Sequence, residues 1–352
     1  MHTNVKRVVS GIQPSGILHI GNYLGAIKNW VKYQETNPKN CYFFIADYHS
    51  ITTKFLKDYT ESEKDSNYTQ EKLDDMVFKT AACLLACGLD PKKSNLFVQS
   101  HVPAHSNLMW LLSCLTPLSW LNKMVQFKEK KNSSNDLSST GLYTYPVLMA
   151  ADILIYKANI VPVGEDQIQH IELTRDIANR INKIAKFDVL PIPEYDVIKQ
   201  SARIMSLQNG NVKMSKSDKS SYACISLIDN QEQIRNKIMK AKTDSLGKIH
   251  YDPKLRPEVS NLINIYSNIM NLSIEDTVSK FENATTFEFK QELANSLSNT
   301  LLNISEKSIH LMEKEADYVK DVIREGCILA SEESERNMNE IRKYMSFLLK
   351  NI

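Results

Sequence analysis

Apolar residues gather in short runs bounded by turn formers at Lys6 to Ile12, Cys41 to Asp47, Asn95 to Ser100, Ile160 to Gly164 and Ala202 to Leu207. Helical periodicity fills the intervals, so strands alternate with helices and a parallel sheet is predicted. After the first run, Leu24, Ile27, Val31 and Gln34 recur at helical spacing, which puts Gly21 and Asn22 at a strand-to-helix turn, where such sheets bind ligands. Two polar stretches interrupt the pattern. Lys57 to Asp75 reads as a solvated insertion, and Lys128 to Ser139, basic first and Ser/Asn-rich later, reads as a loop. From Tyr222 onward the strand signal fades. Ile234, Ile238 and Ala241, then Leu262, Ile265, Tyr266 and Ile269, then Leu311 to Leu349 follow helical patterns. The expectation is an α/β chain: a Rossmann-like parallel-sheet domain over 1–222, and a helical domain over 223–352 whose last helix packs back on the first.

Length agrees with that division, since 352 residues at roughly 150 per domain make two domains. Forty-three Lys and Arg against 41 Asp and Glu leave a net charge of +2, so no whole-molecule field draws the chain to nucleic acid or an anionic membrane. Any nucleic-acid contact must be local. The N-terminal residues lack a signal-peptide core, and the longest apolar stretches fall well short of the roughly 20 residues a membrane helix needs. A cytoplasmic protein without membrane contact is expected. The six cysteines (41, 83, 87, 114, 224, 327) contain no CxxC pair and read as buried small apolar residues, with no metal site among them.

Two clusters carry chemistry. Gly11-Ile12-Gln13-Pro14-Ser15-Gly16 precedes His19-Ile20-Gly21-Asn22. Glycines let the backbone approach a nucleotide, and the following helix start offers unpaired N–H groups to phosphate, with His19 and Asn22 as added donors. A plain Gly-Pro turn explains this segment equally well. The second cluster is Lys213-Met214-Ser215-Lys216-Ser217, after the turn-forming Asn209-Gly210-Asn211. Two lysines on a loop can close over a triphosphate and neutralise the charge on departing pyrophosphate. Taken alone, a KxxKS segment is an ordinary basic loop. The pair, HIGN early and KMSKS roughly 190 residues later in an alternating frame, is the arrangement of class I aminoacyl-tRNA synthetases.

With Phe97 to Pro103, Tyr145 to Leu154, Val163 to Gln167 and Gln169 to Leu173 added, the chain closely resembles the bacterial-type tryptophanyl-tRNA synthetases over most of its length. The resemblance implies a ligase that joins L-tryptophan to ATP, with Mg²⁺ carried on the ATP, and passes the tryptophanyl group to tRNA(Trp). It also implies a homodimer and anticodon recognition by the helical domain. ATP contacts would come from Gln13, Pro14, Ser15, His19, Gly21, Asn22, Gly164, Glu165, Asp166, the backbone at Ile204, and Lys213, Met214, Ser215, Lys216 and Ser217. Among these, Gln13, Asn22, Lys213 and Lys216 would act in catalysis. Tryptophan would be held by Gly11, His49, Tyr145, Met149, Asp152 and Gln167, with Tyr145 and Gln167 on its ammonium and carboxylate.

Helical spacing supports that pocket independently. Tyr145, Met149 and Asp152 lie at i, i+4 and i+7, with Pro146 suited to the first turn. Met149 supplies adaptable apolar surface, and Asp152 a carboxylate acceptor for the indole N–H, which can only donate. Solvent exposure of Asp152 is the alternative, opposed by the apolar Ala150, Ala151, Ile153, Leu154 and Ile155 around it. His49 closes the same pocket or is an ordinary loop histidine. Gly164 to Asp166, ahead of a helix carrying Ile168, Ile171, Ile177, Ile181 and Ile184, is an anion- or ribose-binding turn or a simple cap. His101 and His105 have no carboxylate or cysteine near them in sequence and read as structural. Asn22 replaces the last histidine of HIGH, the usual tryptophanyl form. Lys128-Glu129-Lys130-Lys131 resembles a segment that reaches phosphates or the partner subunit, Lys130 foremost; a solvated charge run fits as well. The rival readings are a tyrosyl-tRNA synthetase, an HxGH-type adenylyltransferase, and an RNA-binding paralogue without catalysis.

Overall fold

The computed structural model describes residues 6–52, 70–124, 139–197, 203–215, 218 and 220–344, with the backbone alone for 70–72. Its centre is a five-stranded sheet built from β1 (Val8–Ile12), β2 (Cys41–Ile45), β3 (Asn95–Val98), β4 (Ile160–Val163) and β5 (Glu194–Val197). The strand order is β3-β2-β1-β4-β5 and every pairing is parallel, the doubly wound arrangement with its switch point between β1 and β4. The ladder between those two strands is in register at Val8 and Ile160. Pro162, two residues on, has no N–H to give, and its carbonyl instead accepts from Ser10 Oγ at 3.1 Å.

Alternation along each strand builds two cores. Val8, Phe43 and Leu96 enter one cluster, and their neighbours Val9, Phe44 and Phe97 the other. Helices cover both faces, as parallel sheets require. On the first face lie α1 (Ile20–Asn22, continued by a π-helical stretch Tyr23–Ile27 and by Lys28–Thr36) and α3 (Gln70–Ala86); short α2 (Asp47–Ser50) follows β2. The second face carries α4 (Ala104–Leu115), α5 (Leu118–Leu121), α6 (Thr140–Leu154) and α7 (Ile168–Ala185).

After Tyr222 the described chain is helical, with α8 (Gln231–Met239), α9 (Pro257–Met270), α10 (Ile274–Lys280), α11 (Thr286–Glu313) and α12 (Ala316–Tyr344). Side-chain caps fix the starts of α8 and α11: Asn230 and Thr285 each accept from the N–H three residues on, and Gln233 and Glu288 reach back. Ile234, Leu262, Phe289 and Leu293 share a continuous core with Leu18 and Ile20. Helix α12 runs along edge strand β3. There a Cβ on Gly326 would sit 1.9 Å from the Leu96 carbonyl oxygen, and Val98 N–H points at Cys327 Sγ, 3.5 Å away. The helix therefore shields a sheet edge, and only glycine permits the approach. Gly326→Ala is expected to destabilise the fold by about 1 to 3 kcal/mol, because the sheet backbone cannot yield. A melting temperature within a degree of the wild type would mean that α12 slides instead.

Three expectations need correction. Ala202 lies outside the described residues, and 203–207 form no strand of the sheet; Ile204 and Leu207 are buried because the segment folds under the loop at 209–214. The fifth strand is instead Glu194–Val197, an edge strand polar enough to lack a continuous apolar run. Residues 70–75, read as part of a solvated insertion, open α3, while 57–69 and 128–138, Lys130 included, lie outside the described residues. Pro146 is an interior residue of α6 and not in its first turn, since the helix starts seven residues earlier at its cap, Ser139, whose Oγ accepts from Leu142 N–H at 3.1 Å.

Candidate active site

β1 and β4 are parallel neighbours whose C-terminal ends meet at the switch point, where sheets of this type bind ligands in a crevice. Gly11 must be bare, for a Cβ there would meet the Phe44 ring at 2.6 Å. Gln13 donates from Nε2 to the His49 carbonyl at 3.4 Å, Pro14 is buried, and Ser15 leads into Gly16, whose φ of +73° suits glycine. Thr80 Oγ1 donates to the Gly16 carbonyl at 3.0 Å and pins this loop to α3. Across the crevice Gly164 caps a 3₁₀ turn of Glu165, Asp166 and Gln167 that runs into α7.

The HIGN segment is the capped start of α1. His19 Nδ1 accepts the Gly21 N–H at 3.0 Å, and Asn22 Oδ1 accepts the His19 N–H at 3.1 Å. A neutral imidazole that accepts at Nδ1 carries its proton on Nε2, and the Asn22 amide keeps its N–H groups as donors. A side chain on Gly21 would strike the His19 ring at 2.8 Å and reach Ile204 Cβ at 3.7 Å. Ile204 thus covers the helix start.

Ile204 also carries the second motif. Its carbonyl accepts Met214 N–H at 3.1 Å, Ser206 N–H donates to Val212 at 2.7 Å, and Met205 bridges Lys213. An ATP contact by the Ile204 backbone therefore falls to its N–H or to the carbonyl's second lone pair. Met214 is buried while Lys213 and Ser215 are exposed; Lys216 and Ser217 lie outside the described residues. Helix α9 clamps the base of this loop. Buried Asn261 accepts Met205 N–H and donates to the Met205 carbonyl, both at 2.8 Å, in the manner of a neighbouring strand. Nothing in the local pattern around Asn261 distinguishes it, and sequence reasoning missed it.

Asp152 on α6 is 1% exposed, which excludes the solvent-facing alternative. Its Oδ1 accepts from Gln99 Nε2 and His105 Nδ1, each at 2.7 Å, and its Oδ2 lies 2.8 Å from His49 Nε2. Burial pushes this carboxyl's pKa up, but hydrogen bonds from His105 and His49 outweigh it and hold the pKa at about 2. The carboxylate is therefore ionised. Gln99 and His105 were not anticipated as partners; the carboxylate apparently missing near His105 comes from 47 residues further on. His101 is exposed and lies 3.8 Å from Cys327 Sγ instead.

A second chain of bonds lines the same helix. Tyr145 hydroxyl and His170 Nε2 are 3.1 Å apart, His170 Nδ1 and Gln167 Oε1 2.9 Å, and Gln167 Nε2 donates to Asp166 Oδ2 at 2.8 Å. Burial, then the charge of Asp166, pushes the Tyr145 pKa up to about 12, so its hydroxyl stays protonated and donates. Tyr145 meets His49 edge to face with ring centroids 6.4 Å apart, and half-buried Met149 lies on the turn between Tyr145 and Asp152. The structure thus links His49 to Asp152, and Tyr145 to Gln167. It also places the nucleotide-type loops at the switch point.

Sequence comparison agrees with this geometry. The family model for tRNA synthetases class I (W and Y) matches residues 1–302. The chain belongs to this family. A tryptophan–tRNA ligase from Rickettsia conorii is 45% identical over 344 residues, covering 98% of this chain and 99% of the relative. Among solved structures, a tryptophanyl-tRNA synthetase from Mycoplasma pneumoniae superposes with a TM-score of 0.83 at 34% identity over 99% of both chains. Another from Campylobacter jejuni, complexed with ADP and tryptophan, gives 0.74 at 33% identity over 97% of this chain and 99% of its own. Members of this synthetase family share the parallel-sheet catalytic core described above.

Proposed function

We propose that the chain is a tryptophan–tRNA ligase: it activates L-tryptophan with ATP, forming tryptophanyl-adenylate and pyrophosphate, and transfers tryptophan to the 3′-terminal ribose of tRNA(Trp). The observation that carries this reading is the buried, ionised Asp152 on the same helix as Tyr145 and Met149, beside a switch-point crevice flanked by the HIGN and KMSKS segments. A phenylalanine would leave that acceptor without a donor, and an unpaired buried group costs more than lost contact area. The Rickettsia relative's name and the Campylobacter complex with ADP and tryptophan support the same substrates.

In the first step a tryptophan carboxylate oxygen attacks the α-phosphorus of ATP and the bond to pyrophosphate breaks; in the second a ribose hydroxyl attacks the activated carbonyl and AMP leaves. The protein positions these groups and stabilises charge. Gln13, Pro14 and Ser15, the Gly164–Asp166 turn and the Ile204 backbone would hold the nucleotide. The α1 N-terminus, with His19, Gly21 and Asn22, would take phosphate oxygens on its N–H groups and partial positive charge. Lys213 and Lys216, with Met214, Ser215 and Ser217 shaping the loop, would neutralise the leaving pyrophosphate. Mg²⁺ would arrive on ATP; among the described residues no cluster of three or more His, Cys, Asp or Glu suits a metal ion. Tyr145 and Gln167 would hold the substrate's ammonium and carboxylate, while Gly11 and His49 wall the pocket.

The helices after residue 222 would read the anticodon. Trp110 and Leu118 on α4 and α5 are 70% and 68% exposed, an apolar surface that fits the proposed homodimer. No helix among the described residues is long and apolar enough to cross a membrane. Pyrophosphate exchange into ATP, run with each of the twenty amino acids, tests the reading. Tryptophan alone should support rapid exchange; equal exchange with tyrosine would replace this assignment by the tyrosyl one.

A further inference from the structure

Behind Asp152 lies a second, fully buried layer. Tyr156, just past the end of α6, is fully buried, and its hydroxyl is 2.8 Å from Nε2 of the equally buried His105. His105 in turn presents Nδ1 to Asp152 Oδ1 at 2.7 Å. Rings pack this pair on several sides: Tyr42 stacks on Tyr156 with centroids 4.7 Å apart, and Phe44 and Phe97 lie 5.8 and 5.9 Å from His105. The direction of each bond follows from chemistry. An ionised carboxylate has no proton, so Nδ1 must donate; in a neutral ring Nε2 then accepts, and Tyr156 must supply the proton. Burial, then the charge of Asp152, holds the Tyr156 hydroxyl protonated.

The two oxygens of Asp152 are therefore unequal. Oδ1 receives two inner donors, Gln99 and His105, both fully buried. Oδ2 faces His49, whose side chain is 13% exposed and whose carbonyl contacts Gln13 of the nucleotide loop. Oδ2 is on the pocket side.

We infer that Tyr156 is a positioning residue for substrate selection: by donating to Nε2 it reinforces the tautomer and ring orientation of His105 that Asp152 selects, which keeps Oδ1 occupied from within and reserves Oδ2 for the indole N–H. This rests on the assignment of tryptophan as substrate. Without the hydroxyl, Nε2 is a buried acceptor without its donor, and only the bond to Asp152 holds the ring against its flipped form, which would turn a carbon toward the carboxylate. One of the two inner bonds that orient Asp152 is then weakened.

The test compares tryptophan with an analogue in which sulfur replaces the indole N–H, 3-benzothienylalanine, in pyrophosphate exchange. Tyr156→Phe keeps the ring stack and should lower kcat/KM for tryptophan about tenfold, through KM with kcat preserved, while exchange with the sulfur analogue stays unchanged. A second comparison uses His105→Asn, whose amide donor has no tautomer to fix; adding Tyr156→Phe to it should change the discrimination by less than about twofold. A parallel fall with both substrates would reveal a merely structural tyrosine and overturn the inference. So would full retention of discrimination in Tyr156→Phe. Should the wild type itself fail to prefer tryptophan over the sulfur analogue, Asp152 would not be the acceptor, and the underlying reading would fall first.

Discussion

Replacing Asp152 by asparagine is expected to reduce the kcat/KM for tryptophan, relative to phenylalanine, about a hundredfold. From sequence alone, with Asp152 bonded to substrate and nothing else, the change exchanges a charged hydrogen bond for a neutral one and predicts a loss of only about tenfold. The geometry raises that figure. Oδ1 is held between two donors, Gln99 Nε2 and His105 Nδ1, so the asparagine oxygen must take that place and the amide nitrogen falls where Oδ2 now stands. His49 can answer by accepting instead of donating, but the indole N–H cannot. Tryptophan would then meet a donor with its own donor, losing an acceptor and leaving a buried N–H unpaired, together roughly 3 kcal/mol. Phenylalanine has no N–H and would feel neither. The Michaelis constant for ATP should change little, because Gln13 of the nucleotide loop bonds to the His49 backbone carbonyl and not to this carboxylate. An unchanged tryptophan-to-phenylalanine ratio would remove Asp152 from substrate recognition.

That contrast shows where sequence reading stops. Strand positions, the HIGN helix start and the burial of Asp152 are local: each follows from periodicity or from neighbours within a turn or two, and β1 to β4 lie within the predicted runs. Gln99 and His105 reach Asp152 across 53 and 47 residues, and Asn261 clamps Met205 across 56. Such partners are chosen by the packing of whole elements, which periodicity does not encode. The same limit explains the misplaced fifth strand. Ile204 and Leu207 are apolar because a loop and two helices cover them, not because they sit in a sheet, whereas Glu194 to Val197 pairs with β4 at an edge where polar side chains are tolerated. His101 ends the 3₁₀ turn that follows β3, whereas His105 lies in the first turn of α4. One ends exposed beside Cys327 and the other fully buried against Asp152.

Removing the charge of Lys213 should slow adenylate formation by about 2.7 to 4 kcal/mol, a factor of roughly 10² to 10³, while tryptophan affinity stays near normal. Lys213 suits this test because its backbone and side chain have separable roles. The backbone is set by the bridge to Met205 and by Met214, whose buried side chain and bond to the Ile204 carbonyl anchor the loop beside Gly21. The side chain itself is exposed, so Lys213→Ala leaves the anchor intact and deletes only a cation from the phosphate side of the crevice. That cation matters most when charge builds on the departing pyrophosphate, which places its contribution in the transition state and not in the ground-state complex. Single-turnover adenylate formation at saturating ATP measures the rate, and tryptophan titration in the absence of ATP measures the affinity. Lys213→Arg, which retains the charge, should keep most of the activity. Lys216→Ala should behave like Lys213→Ala, since both lysines belong to the same motif. Near-normal single-turnover rates in both alanine variants would make the loop a solvated bystander and leave the α1 N-terminus to carry the phosphate charge alone.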